Sequence, residues 1–193
     1  IHTWPGADNN ELLELYKPKK FSLVDLEGIN YDPDTIYTNT PNAQKWPSRF
    51  THRALYSMFM VSSLIEGQYD WVIKTRTDYA LNVKIPFNEL DSSKLYIPNC
   101  RMVPERDFGN DQFAFSSHEN MMKYMSIYEH IDEYYKAGTV YIGENMMQAN
   151  LRKHGLCGEN LVYVNMNNPF PPGKYNGTWH SLIRDDMNQW VKY

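Results

Sequence analysis

No stretch of the chain approaches the run of about 18 apolar residues that a membrane span requires, so no spanning helix is predicted. Runs of five or more basic residues are absent too, and the net charge is −4. A nucleic-acid site needs a basic face, so nucleic acid is set aside as a partner. Lys17, Lys19 and Lys20 form one short cluster that reads as a solvated loop. Cysteine is scarce: Cys100 and Cys157 give neither a disulfide framework nor zinc spacing, and they fit a reducing compartment. Neither has the basic and acidic neighbours of a thiol nucleophile. Gly-X-Gly-X-X-Gly, a Walker-type loop and a Gly-X-Ser-X-Gly elbow are all missing, which removes three common routes to catalysis. With no secretory leader visible, the expected location is cytoplasmic, and Asn176-Gly177-Thr178 reads as a turn rather than a glycosylated site. There is no internal repeat or visible boundary. The expectation is therefore one domain, residues 1–193, long enough to bury a core.

Aromatic residues are plentiful, at 15% with 15 Tyr. Their apolar bodies and polar tips suit both cores and the walls of carbohydrate sites. His2-Thr3-Trp4 reads as the end of a buried strand, and Asn9 or Asn10 starts a short helix through Tyr16. Phe21–Asp25 is a candidate strand, and Gly28–Pro47, rich in Asn, Asp, Pro and Thr, reads as a long loop. A helix is predicted from Ser48 or Thr51 to about Glu66, with Ala54, Met58, Val61 and Ile65 on one face, Leu55 and Phe59 widening it, and Gly67 ending it. Tyr69–Thr75 alternates as a strand. Leu95–Ile97 is a strand stopped by Pro98, and Gln112–Phe115 another. Ser116 and Glu119 form a capping-box signature before a long helix with Met121, Met125, Tyr128 and Ile131 inside. A second helix runs from Glu144 to about His154, stopped by Gly155. Leu161–Val164 is the last clear strand. Helices alternating with strands in this way predict an α/β domain, its mixed and mostly parallel sheet flanked by helices.

The segment Tyr69–Tyr79 carries the most chemistry. A hydrophobic strand delivers Arg76 and Asp78 at its carboxyl end, the edge where open α/β sheets bind ligands. Asp78 can hold Mg²⁺ or Mn²⁺, which use one or two carboxylates with phosphate oxygens. Arg76 can pair with a phosphate. A plain surface Arg–Asp pair fits the same residues. Asp111 and Gln112 enter a buried strand, and Glu144 opens a helix whose dipole favours its ionised form. Asp111 follows Gly109-Asn110 as a turn residue would, but Asp111-Gln112 entering a buried strand is less expected of a mere turn; Glu144 reads equally as a first-turn charge. His180 reads as lying in a late, Gly-rich loop, where a lone His is more often structural or solvent-exposed. His52, His118, His130 and His154 lie on predicted helices without partners at metal spacing.

The run Tyr-Asp-Trp-Val-Ile-Lys-Thr-Arg-Thr-Asp, residues 69–78, resembles the signature of polysaccharide-building glycosyltransferases of the GT-A type in bacteria and large viruses. In them a Lys-Thr-Arg-X-Asp strand end stands in for Asp-X-Asp. Ile1–Trp4 is similar to the strand closing their first βαβ unit, and Asn110–Ser116 to their Asp-Gln-aromatic strand. Glu144 sits where they often place an acid facing the acceptor. Two departures stand out: Arg76 replaces the first acid of Asp-X-Asp, and the strand and helix that precede His-Thr-Trp in relatives have no counterpart here. The resemblance implies a donor site of Arg76, Thr77, Asp78 and Gln112, a divalent cation (Mn²⁺ or Mg²⁺) on Asp78 with His180, and Asp111 or Glu144 as base. The implied partners are a UDP- or GDP-linked sugar and a glycan acceptor. A nucleotidyltransferase of similar fold, or a non-catalytic glycan-binding or scaffold domain, are the alternatives.

Overall fold

The computed structural model describes residues 2–3, 9–23, 33–39, 48–76, 79–81, 85–98, 111, 113–164 and 180–182. Two compact units emerge, Ile1–Gly67 with Met125–Met146 and Gln68–Tyr124 with Met147–Tyr193.

The first unit is mainly helical. Strand β1 (His2–Thr3) pairs in parallel with β2 (Ser22–Leu23), and helix α1 (Asn9–Tyr16) lies between them in sequence. The expected long loop contains one helical turn, α2 (Pro33–Ile36). Proline there suits the first helical position, because its fixed φ is preorganised and its missing N–H is not needed. Helix α3 (Ser48–Ser62) buries Ser48, His52, Leu55 and Met58, while Ala54 is exposed. Leu55 and Met58 lie inward as expected, while Ala54 does not, and polar Ser48 and His52 complete the buried stripe. Gly67 does not end α3. The Ser62 and Ser63 hydroxyls donate to the carbonyls of Phe59 and Met60, at 2.6 and 2.7 Å, and close the last turn. A 3₁₀ segment, Ser126–His130, leads into α5 (Ile131–Lys136). The core gathers Tyr37, Leu55, Met58, Ile127, Ile131, Tyr134 and Tyr141.

The second unit holds a four-stranded sheet: β3 (Val72–Lys74), β5 (Leu95–Pro98), β6 (Ala114–Ser116) and β7 (Leu161–Val164). Its spatial order is β3-β6-β5-β7, with β6 antiparallel to both neighbours and β5 parallel to β7. The mixed sheet is as expected, but "mostly parallel" needs correcting at the level of pairing. Inserting β6 between β3 and β5 makes two of the three pairings antiparallel, although β3, β5 and β7 all point one way. Every residue from Phe113 to Ser116 is buried, as an interior strand covered on both faces requires. Tyr96 and Phe115 stack at 4.8 Å, with Trp71 and Phe87 packed around them. A separate pair, β4 (Tyr79–Leu81) with β8 (His180–Leu182), is antiparallel.

Helix α4 (His118–Met125) starts one residue later than the capping box predicts. Ser117 is the cap, its Oγ accepting from the Asn120 N–H at 3.4 Å. Ser116 is still in β6, where its hydroxyl donates to the Lys94 carbonyl at 2.8 Å. Glu119 binds Lys123 instead of reaching back to the cap. The predicted long helix is broken by the 3₁₀ segment at Ser126, so Tyr128 is only half-buried. Helix α6 (Gly143–Lys153) ends as anticipated before Gly155, whose φ of +66° suits a residue without Cβ. No helix among the described residues is long and apolar enough to cross a membrane.

Candidate functional site

Because β3, β5 and β7 share a direction and β6 opposes them, one edge of the sheet collects three carboxyl ends and the start of β6. Lys74 pairs with Ala114. Arg76, two residues beyond the one, and Asp111, three residues before the other, therefore leave the sheet at this same edge. This is the edge at which parallel α/β sheets bind ligands, because loops diverge there and leave a crevice. Both residues are half-buried. Asp111 also lies close enough to the buried Tyr124 for its charge to be felt there. Burial pushes the Tyr124 hydroxyl well above its ordinary value, and Asp111 adds to the rise.

The other candidates are placed differently. Thr77, Asp78 and Gln112 lie outside the described residues. His180 falls in strand β8 opposite Leu81 of β4, not in a loop as expected, because its backbone is taken up by an antiparallel ladder. Glu144 belongs to the first unit, exposed in the opening turn of α6. Among the described residues no three His, Cys, Asp or Glu side chains gather into a metal cage.

His52, which gave no signal in the sequence, is at the centre of the polar core of the first unit. It is 1% exposed, with Nδ1 bonded to the Tyr141 hydroxyl at 2.9 Å and Nε2 to that of Tyr128 at 3.0 Å. These two partners lie 89 and 76 residues away in the chain, so no local pattern could have revealed them. Burial lowers the pKa of His52 from 6.5 to about 4, partly opposed by the charge of Asp132. The ring is therefore neutral at pH 7, one nitrogen donating and the other accepting. Tyr37 stacks on Tyr141 with ring centres 3.9 Å apart and planes parallel, and donates to Asp132 Oδ1 at 2.5 Å.

The class the fold defines is a mixed α/β protein with helices about a small sheet. No family model matches the chain, and no curated protein or solved structure is significantly similar to it.

Proposed function

We propose that this chain is a GT-A-type glycosyltransferase, moving a sugar from a nucleotide-diphosphate donor to a glycan hydroxyl. The observation that carries the reading is that Arg76, within the Lys74–Asp78 motif, leaves β3 at the edge where β5 and β7 end and Asp111 enters β6. Arg76 and Asp111 are the described members of that group. Transfer forms a bond from the acceptor oxygen to the anomeric carbon and breaks the bond from that carbon to the diphosphate. The acceptor proton passes to a carboxylate, and Asp111 and Glu144 are the two that suit the task. Arg76, always charged and planar, pairs with diphosphate oxygens and stabilises the charge they gain as the bond breaks. Asp78, with His180 as the further candidate ligand, would hold a divalent cation, which would supply additional neutralisation of the leaving group.

Titration calorimetry of UDP and GDP, each with and without Mn²⁺, tests the reading. Metal-dependent binding of one nucleotide, lost in Asp78→Ala along with donor turnover, is the expected result. Near-normal turnover in Asp78→Ala overturns it. Release of pyrophosphate in place of nucleoside diphosphate points to a nucleotidyltransferase, and metal-independent glycan binding without donor cleavage to a binding domain.

A further inference from the structure

Lys74 is the one charged residue in the four strands β3, β5, β6 and β7 of the second unit. It ends β3 and pairs with Ala114 of β6, and the Tyr96–Phe115 register sets Ile97 beside Ala114 in turn. Side chains alternate between the faces of a sheet, so Lys74 shares its face with Val72, Ala114 and Ile97. Those three are 8%, 0% and 0% exposed, and Lys74 among them is half-buried. An apolar side chain would suit such a face at less cost than an ammonium, which gives up part of its water there. A cation kept at this position calls for a reason beyond packing.

The neighbouring residue supplies the geometry. Ala114 has only a methyl group, which leaves room beside it for a long unbranched stem. Lysine covers apolar surface with such a stem and carries its charged head outward. Because Lys74 is the last residue of β3, its shortest way out of the sheet is the carboxyl edge, where Arg76 and Asp111 also leave. The charge at that edge supplies the need. A nucleotide sugar carries one negative charge on each of its two phosphates. Arg76 can meet one of them, while Asp111 adds a negative charge of its own. Of the described residues in the strands that end here, Lys74 alone can meet the other.

We propose that Lys74 is a further donor-binding residue, its ammonium emerging over Ala114 at the carboxyl edge of the sheet to pair with the diphosphate beside Arg76. This rests on the reading of that edge as the diphosphate site. The two cations are suited to different work. Arg76 offers a planar fork that fixes the orientation of one phosphate, and the Lys74 ammonium a compact charge on a flexible stem that can follow the other as the leaving group separates.

The test is Lys74→Met, which keeps an unbranched stem beside Ala114 and removes the charge, measured next to Lys74→Arg, which keeps the charge. Each full chain is titrated in Mg²⁺ with inorganic pyrophosphate, UDP and GDP, at two salt concentrations. Lys74→Met should weaken pyrophosphate and the preferred nucleotide by the same factor, about 10- to 100-fold, as loss of a charged hydrogen bond does. Lys74→Arg should retain most of the affinity. The weakening of pyrophosphate binding by salt should be shallower in Lys74→Met, because one charge contact is gone. Unchanged pyrophosphate affinity in Lys74→Met, or an equal loss in Lys74→Arg, makes Lys74 a structural residue and overturns the proposal. Should Lys74→Met fail to fold by circular dichroism, Lys74→Gln is read by the same criteria. If pyrophosphate binding weakens as expected but the wild type binds no nucleotide and transfers no sugar, the donor reading fails and Lys74 stands as a phosphate-binding residue. A wild type that binds neither pyrophosphate nor nucleotide overturns both.

Discussion

Replacing His52 by Gln separates the titration of one buried ring from the acid response of the whole chain. The ring is held at about pKa 4 by burial and has a value of about 6.5 when exposed. Between those two values the unfolded chain takes up a proton that the folded state refuses. Stability therefore falls as pH drops from about 6.5 towards 4, and it is flat on either side of that window. Each pH unit of separation corresponds to about 1.4 kcal/mol, giving about 3 kcal/mol in full and about 2 kcal/mol by pH 4.5. The groups facing the ring sharpen the expectation. Tyr128 and Tyr141 supply hydroxyls that a neutral ring satisfies with one donor and one acceptor, and Asp132, held by Tyr37, is the nearby charge that limits the shift. Gln keeps a donor and an acceptor at the site but does not titrate. Urea unfolding at pH 7.0 and pH 4.5, followed by circular dichroism, is measured for both proteins. Carboxylates elsewhere titrate in both and cancel in the comparison. The wild type should lose about 2 kcal/mol more than His52→Gln over that interval. Equal losses would refute the assignment of the ring as a buried neutral base.

Two further perturbations test the second unit. Asn150 is fully buried and its Nδ2 donates to the carbonyls of Lys123 and Tyr124, at 2.9 and 3.2 Å, closing the last turn of α4. Asn150→Ala leaves both without this donor and should cost about 2–3 kcal/mol in urea unfolding; a loss below about 0.5 kcal/mol would show the bonds to be dispensable. Ser117→Ala removes the cap of α4 and should cost about 1 kcal/mol. Glu119→Ala, which removes any side chain able to reach back to the cap, should leave the unfolding midpoint nearly in place, whereas a loss equal to that of Ser117→Ala would restore the capping box.

The elements that were legible in the sequence are those set by short-range rules. Helix α1, strands β3, β5 and β7, and the end of α6 at Gly155 follow from periodicity, Pro and Gly. Where the sequence misled, a distant contact had decided between local options. Ser116 and Ser117 are equally good caps in isolation, and the choice fell to Ser117 because Ser116 is committed to the Lys94 carbonyl. The inward face of α3 was legible only at Leu55 and Met58, because His52 and Ser48 count as polar until Tyr141, Tyr128 and the Tyr37 carbonyl are brought to them. Pro33 was a usable signal for α2, outweighed by the turn-forming residues around it. For the site, the strand preceding Arg76 could be read locally, but the meeting of Arg76 and Asp111 at one edge needed the β3–β6 register.

The order β3-β6-β5-β7 also bears on how the chain comes off the ribosome. Strands β3 and β5 are synthesised first, yet they do not pair with each other; both wait for β6, and β5 waits further for β7, whose Leu161 pairs with Leu95. Pairings this remote in sequence close slowly, because the loop entropy must be met before any contact offsets it. Until residues 114–116 emerge, Leu95–Pro98, buried on every residue in the finished sheet, is an uncovered apolar strand with open edges. Nascent chains stalled before β6 should be bound by chaperones or aggregate, and those extended beyond Val164 should not.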